Sequence, residues 1–334
     1  MEKRIAKANL AIDFRIKGKE KKMISVAMAT YNGARYITEQ LESIYHQTQK
    51  VDELVIVDDC SADDTVSLIR EYMKKCPESN IRVFENETNL GYRGNFRKAL
   101  SLCEGDIILL CDQDDIWHEN KVEVLYNILM KNPEISVLSS SFKQIDGEGN
   151  GSDDNKSVYQ RRMKPDELAC VPLEDVIFHN ISQGCSMAIR KELKELYLKF
   201  YEDGLPHDWM LNVIAAMQKK CYYINDPLFS YRIHDKNTIG LNDNMTLEKK
   251  NTWKVRANDA LQAVKVLSLI KKVDTDFYHD NPWLEEMNDF ARKHVRYLES
   301  KDLKGIVFQN FNVYYKKLKT FRGRMLDIYF VLKK

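Results

Sequence analysis

Three carboxylates, Asp112, Asp114 and Asp115, crowd into LLCDQDDIW (109–117) directly behind an apolar run. Like charges this close repel, and a carboxylate beside a low-dielectric core is costly unless something positive offsets it. The immediate neighbours supply no Lys or Arg. Asp112 and Asp114 stand two apart, so in an extended chain both side chains leave on the same side and can share one ion. Hard oxygen ligands favour Mg²⁺ or Mn²⁺, which keep open positions that phosphate oxygens fill. An exposed acidic turn is the alternative. A second acidic pair, Asp58 and Asp59, closes ELVIVDD. These residues either cap the helix that follows, competing with Ser61 and Asp63, or one of them accepts a hydrogen bond from a base or ribose. A carboxylate suits the N3–H of uracil or thymine and disfavours cytosine, which has no proton there.

The elements that must position these groups follow from periodicity. ISVAMA (24–29) reads as a strand, a turn at Asn32 and Gly33 follows, and 37–47 is amphipathic with Ile37, Leu41, Ile44 and Tyr45 on one face. The alternation recurs as ELVIVDD (53–59) then 62–75, IRVFEN (81–86) then 94–103, DIILLC (106–111) then 119–131, and ISVLSS (135–140). Short buried strands alternating with helices predict an α/β fold, a mostly parallel sheet with helices on both faces. Ligands of such a sheet bind outside the carboxyl ends of its strands. That rim carries Thr30, Tyr31 and Asn32, then Asp58 and Asp59, then Asn89, Gly91, Arg93 and Gly94, then Asp112 to Asp115.

The totals narrow the function classes. The 334 residues allow one large α/β domain with an appendage or two modest domains. Lys plus Arg at 51 against Asp plus Glu at 50 leaves a net charge of +1, so global charge does not call for nucleic acid. Seven scattered cysteines without a CxxC pair argue against a disulfide framework and a thiolate zinc site, and a reducing cytoplasm fits them best. No apolar run approaches the roughly 20 residues of a membrane span, and the expectation is no secretory signal. Residues 1–22 read as a basic N-terminal extension, 23–240 as the main domain and 241–334 as a helical region. The last stretch, 314–334, is predicted as one basic amphipathic helix, lying peripherally on an anionic inner membrane face or docked on its own domain.

Four ordered blocks, ISVAMATYNGARYITEQLESIYHQT, ELVIVDDCSADDT, NLGYRGNFRKAL and GDIILLCDQDDIW, resemble the N-terminal blocks of family 2 glycosyltransferases. The similarity continues through NISQGCSMAIRKEL, HDWMLNVIA and YRIHDKNTIG, covering about residues 23–240, and DQDDIW with HDW and YRxH is similar to rhamnosyltransferase-like members that build cell-surface polysaccharides. The resemblance implies the GT-A fold and an inverting transfer from a nucleoside diphosphate sugar, with UDP or dTDP, to a glycan or lipid-linked saccharide. It implies that Tyr31 packs near the base beside Thr30 and Asn32, that Asp59 meets the pyrimidine N3–H, and that Asp112 and Asp114 hold the metal. His234 takes the place of a further metal ligand, or is a loop histidine. Arg93 falls in the loop near the nucleotide, and the planar fork of Arg232 suits diphosphate oxygens.

Asp208 falls where the family places its catalytic base; the competing role is an N-cap of the helix it opens. Where many members carry Glu-Asp, this chain has His207-Asp208, which makes His207 a pocket residue on the acceptor side. Trp209 is either a stacking platform for an acceptor sugar or a core residue. Two rivals are a sugar nucleotidyltransferase and a non-catalytic sugar-nucleotide-binding scaffold. The first calls for a Gly-rich basic loop after the first strand, whereas TYNGARY holds a single Gly. The joint presence of Asp112, Asp114 and Asp208 favours catalysis over the second.

Overall fold

The computed structural model describes residues 21–152, 158–234 and 252–333. Most of the expected extension at 1–22, the end of YRIHDKNTIG after His234, and the expected boundary at 240/241 lie outside the described residues. Four βα repeats open the chain: β1 (Ile24–Thr30), α1 (Ile37–Tyr45), β2 (Glu53–Asp58), α2 (Thr65–Lys75), β3 (Ile81–Glu85), α3 (Gly91–Leu102), β4 (Ile107–Cys111), a short β5 (Ile116–Trp117) and α4 (Lys121–Lys131). There follow β6 (Val137–Ile145), β7 (Gly151–Ser152), α5 (Val158–Arg162), β8 (Leu168–Cys170), α6 (Leu173–Phe178), β9 (Met187–Arg190), α7 (Lys191–Phe200), α8 (His207–Met217) and β10 (Cys221–Arg232).

The ten strands among the described residues form one sheet, whose main path runs β3-β2-β1-β4-β9-β6-β10-β5. The ladders β1–β2, β2–β3, β1–β4 and β6–β10 are parallel. The sheet is of the mostly parallel kind expected, with β9 inserted antiparallel between β4 and β6. Both faces are covered, as continuous apolar strands require. Ile24, Val26 and Met28 of β1 pack with Ile37 and Leu41 of α1, Ile69 of α2 and Leu125 of α4. Ala27, Val55, Val57, Ile108 and Leu110 face α3, α6 and α8 through Phe96, Val176 and Met210. Strand order reverses between β1 and β4, which opens a crevice at their carboxyl ends.

The C-terminal region is α9 (Trp253–Val273), α10 (Thr275–Asp280), α11 (Pro282–Glu299), α12 (Leu303–Gln309), α13 (Val313–Leu318) and α14 (Phe321–Leu332). The single helix expected over 314–334 is broken, because the chain turns extended at Lys319 and Thr320, whose side chain accepts from Gly323 N to begin α14. These helices share the core of the sheet: Ala260, Ala263 and Leu267 of α9 lie in one cluster with Ile177, Trp209 and Val213. A polar hub ties them together. The fully buried Asp327 accepts from Arg256 (2.6 Å), Lys319 (3.1 Å) and Tyr315 (2.8 Å), and His294 Nε2 lies 3.6 Å from it. No helix among the described residues is long and apolar enough to cross a membrane.

Candidate active site

A cleft of about 2150 Å³ opens over the carboxyl ends of β1, β2 and β4. Ligand pockets typically measure some 300–1,000 Å³, so it has room for two substrates. Thr30, Tyr31, Asn32, Asp59, Asp112, Asp114, His207, Asp208, Trp209 and His234 all line it. Its far wall is built from the C-terminal helices, with Arg256, Lys316, Lys317 and Lys319 among the lining groups.

At the β1 end, Gln113 locks the loop. Its Oε1 accepts from Tyr31 N at 2.8 Å and its Nε2 donates to Tyr31 O at 3.0 Å, leaving the tyrosine ring half exposed. Asn32 takes a left-handed conformation (φ 49°) in which its N–H donates to Ser61 Oγ and its Oδ1 accepts from Ala62 N, a posture Asn tolerates. The two acids after β2 divide their work. Asp58 accepts from the Thr30 hydroxyl and from Ser61 N and Oγ, so it builds the loop. Asp59 lines the cleft; its Oδ1 accepts from Asn86 Nδ2 at 2.7 Å and Leu90 N at 2.7 Å. Neither acid caps α2: its N-cap position is Asp64, and Asp63, one of the competitors, accepts from Thr65 N.

The acidic cluster is offset by Lys121, at the start of α4, and by Arg232, far away in sequence. Lys121 is fully buried; its ammonium donates to Cys185 O at 2.6 Å and sits 4.0 Å from the Trp117 ring and 4.4 Å from that of Phe229. Burial pulls Lys121 down to about 8, against the pull of neighbours that include Asp115 and Asp112. Burial and then the repulsion of Asp114 push Asp112 up to about 7. Asp115, which burial raises well above its ordinary value, accepts from Arg232 N. Nothing in the sequence marks Lys121, since the first turn of an amphipathic helix is ordinarily solvated.

Two residues expected at the donor do not line the cleft. Arg232 is 2% exposed and absent from the cleft lining; its guanidinium donates to Asp114 O (2.7 Å) and Glu39 Oε2 (2.5 Å), so it braces the acidic loop from behind. Arg93 also lies outside the lining, with its Nε donating to the Tyr92 hydroxyl. Trp209 is a core residue: it is buried in the cluster beneath the cleft, and its Nε1 donates to Val176 O. Only an edge of it reaches the cleft.

Asp208 is the second residue of α8, whose N-cap is Pro206, so the expected alternative of an N-cap carboxylate does not hold. Its Oδ1 accepts from Trp209 N at 2.8 Å, and Oδ2 has no partner among the described residues. His207, 5% exposed, stacks on Phe96 at 4.0 Å, and both ring nitrogens lack a partner. Burial lowers its pKa. The ring fits because residue 184 is glycine; a Cβ there would collide with the imidazole.

The residues fit a hard divalent cation. Asp112 and Asp114 share the cleft wall and repel each other, and His234 Nε2 stands 2.9 Å from Asp114 Oδ2. A carboxylate, carboxylate and imidazole set suits Mn²⁺ or Mg²⁺. Asp112, Asp115 and Cys185 also bring one ligand atom each within 4.8 Å of one another. Burial raises the Cys185 thiol well above its ordinary value, so it stays protonated and makes a poor ligand.

Comparisons with known proteins bear on the family and the fold. Residues 25–197 match the family described as Glycosyl transferase family 2. The chain is similar to a dTDP-rhamnosyl transferase, RfbG, of Shigella flexneri, 30% identical over 241 residues that cover 69% of this chain and 79% of that protein. Among solved structures it resembles S. aureus TarS 1-349 in complex with UDP (TM-score 0.54, 20% identity, 92% of this chain and 89% of that one). A second is the mannosyltransferase PcManGT from Pyrobaculum calidifontis in complex with GDP-Man and Mn²⁺ (TM-score 0.53, 17% identity, 94% and 88%). At those identities the structural likeness speaks to the GT-A type of fold.

Proposed function

The chain belongs to glycosyl transferase family 2, a glycosyltransferase acting with nucleotide sugars, and on that premise we propose an inverting transfer from a UDP- or dTDP-sugar to a hydroxyl of a glycan or lipid-linked saccharide in cell-surface polysaccharide synthesis. The observation that carries this reading is the convergence of Asp59, Asp112, Asp114 and Asp208 on one cleft at the carboxyl ends of the strands. The rhamnosyl transferase similarity supports a dTDP-sugar, and the seven free thiols support a reducing, cytoplasmic setting.

In this reading Asp59 accepts the base N3–H, with Asn86 and Leu90 N holding its other contacts in register. Tyr31 flanks the base, and Thr30 and Asn32 shape the ribose end. Asp112, Asp114 and His234 would hold Mg²⁺ or Mn²⁺, which when bound supplies positive charge against the diphosphate. Asp208 removes the proton of the acceptor hydroxyl through Oδ2 as that oxygen attacks the anomeric carbon opposite the leaving group. A single displacement inverts the centre, and no covalent sugar-enzyme species forms. His207, beside the base, offers a ring nitrogen to the acceptor.

The test is a thermal-shift panel of UDP, dTDP, GDP and their sugars with and without Mn²⁺, since a ligand of the native state raises apparent stability. The reading expects a Mn²⁺-dependent rise with a uridine or thymidine donor. A rise with guanosine donors alone would overturn it.

A further inference from the structure

We propose that α12 to α14 form a face that docks on an anionic lipid surface. Nine of the twelve large hydrophobic residues exposed among the described residues fall between Val307 and Leu332; the other three are Tyr31, Leu90 and Val255. They are ordered. On α12, Lys304, Val307 and Phe308 face outward, and Phe311 follows in the turn just past the helix end, with Phe308 75% and Phe311 84% exposed and their rings 6.4 Å apart. On α14, Phe321, Met325, Tyr329 and Leu332 make a second exposed stripe, while Asp327, Phe330 and Val331 bury the opposite side.

A helix apolar on both sides needs two partners, and the bundle provides one. The 12 residues of α14 span only ~18 Å, against the ~30 Å of a bilayer core, so it lies along a lipid surface and does not cross it. The stripes belong to one body: Ile306 of α12 and Phe330 of α14 share a buried cluster, and Arg324 donates to Asn310 at the end of α12.

Charge selects the occupant. From Lys301 to Lys333 there are eight basic residues and two acidic ones. Asp302 caps α12, and Asp327 pairs with Lys319 in the interior, which leaves the exposed side chains Lys301, Lys304, Lys316, Lys317, Arg322 and Lys333 to make the outer surface cationic. A second copy would set cationic faces against each other, whereas anionic headgroups neutralise them. Lys316, Lys317 and Thr320 of the same segment line the cleft, so docking brings the cleft to the bilayer, where a lipid-linked acceptor resides. That last step rests on the transferase reading; the docking does not.

The experiment is co-sedimentation of the full chain with phosphatidylglycerol or phosphatidylcholine vesicles at low and high salt. The expected result is binding to phosphatidylglycerol only, weakened by salt, and lowered at least about tenfold in Phe308→Ser/Phe311→Ser. Both residues are surface-exposed and outside the cleft, and an unchanged thermal midpoint verifies that the variant is folded. Absence of binding by the wild-type chain, or equal binding by the folded variant, overturns the proposal. So does a wild-type dimer that the same substitutions dissociate, which would make the face a self-association surface. Vesicle binding needs no turnover, so its failure leaves the transferase reading standing.

Discussion

His234 Nε2 lies 2.9 Å from Asp114 Oδ2, joining residues 120 positions apart at the wall of the cleft. If the pair is a metal site, Asp114→Asn removes the Mn²⁺-induced rise in thermal midpoint, and His234→Ala weakens Mn²⁺ affinity at least about tenfold. Wild-type titration curves for both variants would place the cation elsewhere.

The same site sets a pH dependence. Asp112 titrates at about 7 in the folded chain against 3.8 ordinarily. Between those values the native state keeps a proton that the unfolded chain has released, so the metal-free protein loses stability as pH rises through the window. Mn²⁺ competes with that proton. Its stabilising shift is therefore larger at about pH 8 than at about pH 5, and equal shifts would refute the link.

Asp208→Asn keeps the side chain's shape and its bond to Trp209 N but removes the basic oxygen. Transfer should fall ~10²–10⁴-fold while donor affinity stays within about twofold. Undiminished turnover with a competent acceptor would remove Asp208 from the chemistry.

Gly184→Ala tests how tightly the base is held. The added methyl meets the His207 imidazole, which Phe96 blocks on one face. The expected cost is ~1–3 kcal/mol of stability by urea titration, with turnover reduced more than about tenfold as the start of α8 shifts. Turnover at the wild-type level would mean that the helix start yields without consequence.

A separate pH effect sits in the C-terminal bundle. Burial holds His294 at about 4 against 6.5 ordinarily. Between those values the unfolded chain binds a proton that the native state refuses, so stability present above about pH 6.5 is lost as pH falls towards 4. His294→Phe should flatten the thermal midpoint across that window, and an unchanged slope would assign the effect to other groups.

The strands that carry the site were readable because both faces of a parallel sheet are buried and its strands become uninterrupted apolar runs. ELVIVDD and DIILLC gave β2 and β4 to within a residue or two. The antiparallel β9 was hidden, since four residues, Met187 to Arg190, are too few to show a period. The roles of Lys121 and Arg232 were hidden for another reason. Lys121 reaches Cys185 and Arg232 reaches Asp114 across 64 and 118 positions, and no local pattern encodes such a contact. Trp209 and the broken C-terminal helix depend likewise on what packs against them, which local sequence does not state.

The wall facing the acidic strands comes from residues 255–323. Asp112 thus leaves the ribosome well before Arg256, by roughly ten seconds at typical synthesis rates. A nascent chain carrying only β1 to β10 has the acids in place but no enclosure around them and an uncovered apolar patch over α6 and α8. Maturation of the catalytic chamber is therefore a late event in biosynthesis, and lesions in the distal helices should present as loss of the chamber even though every acid in it is intact.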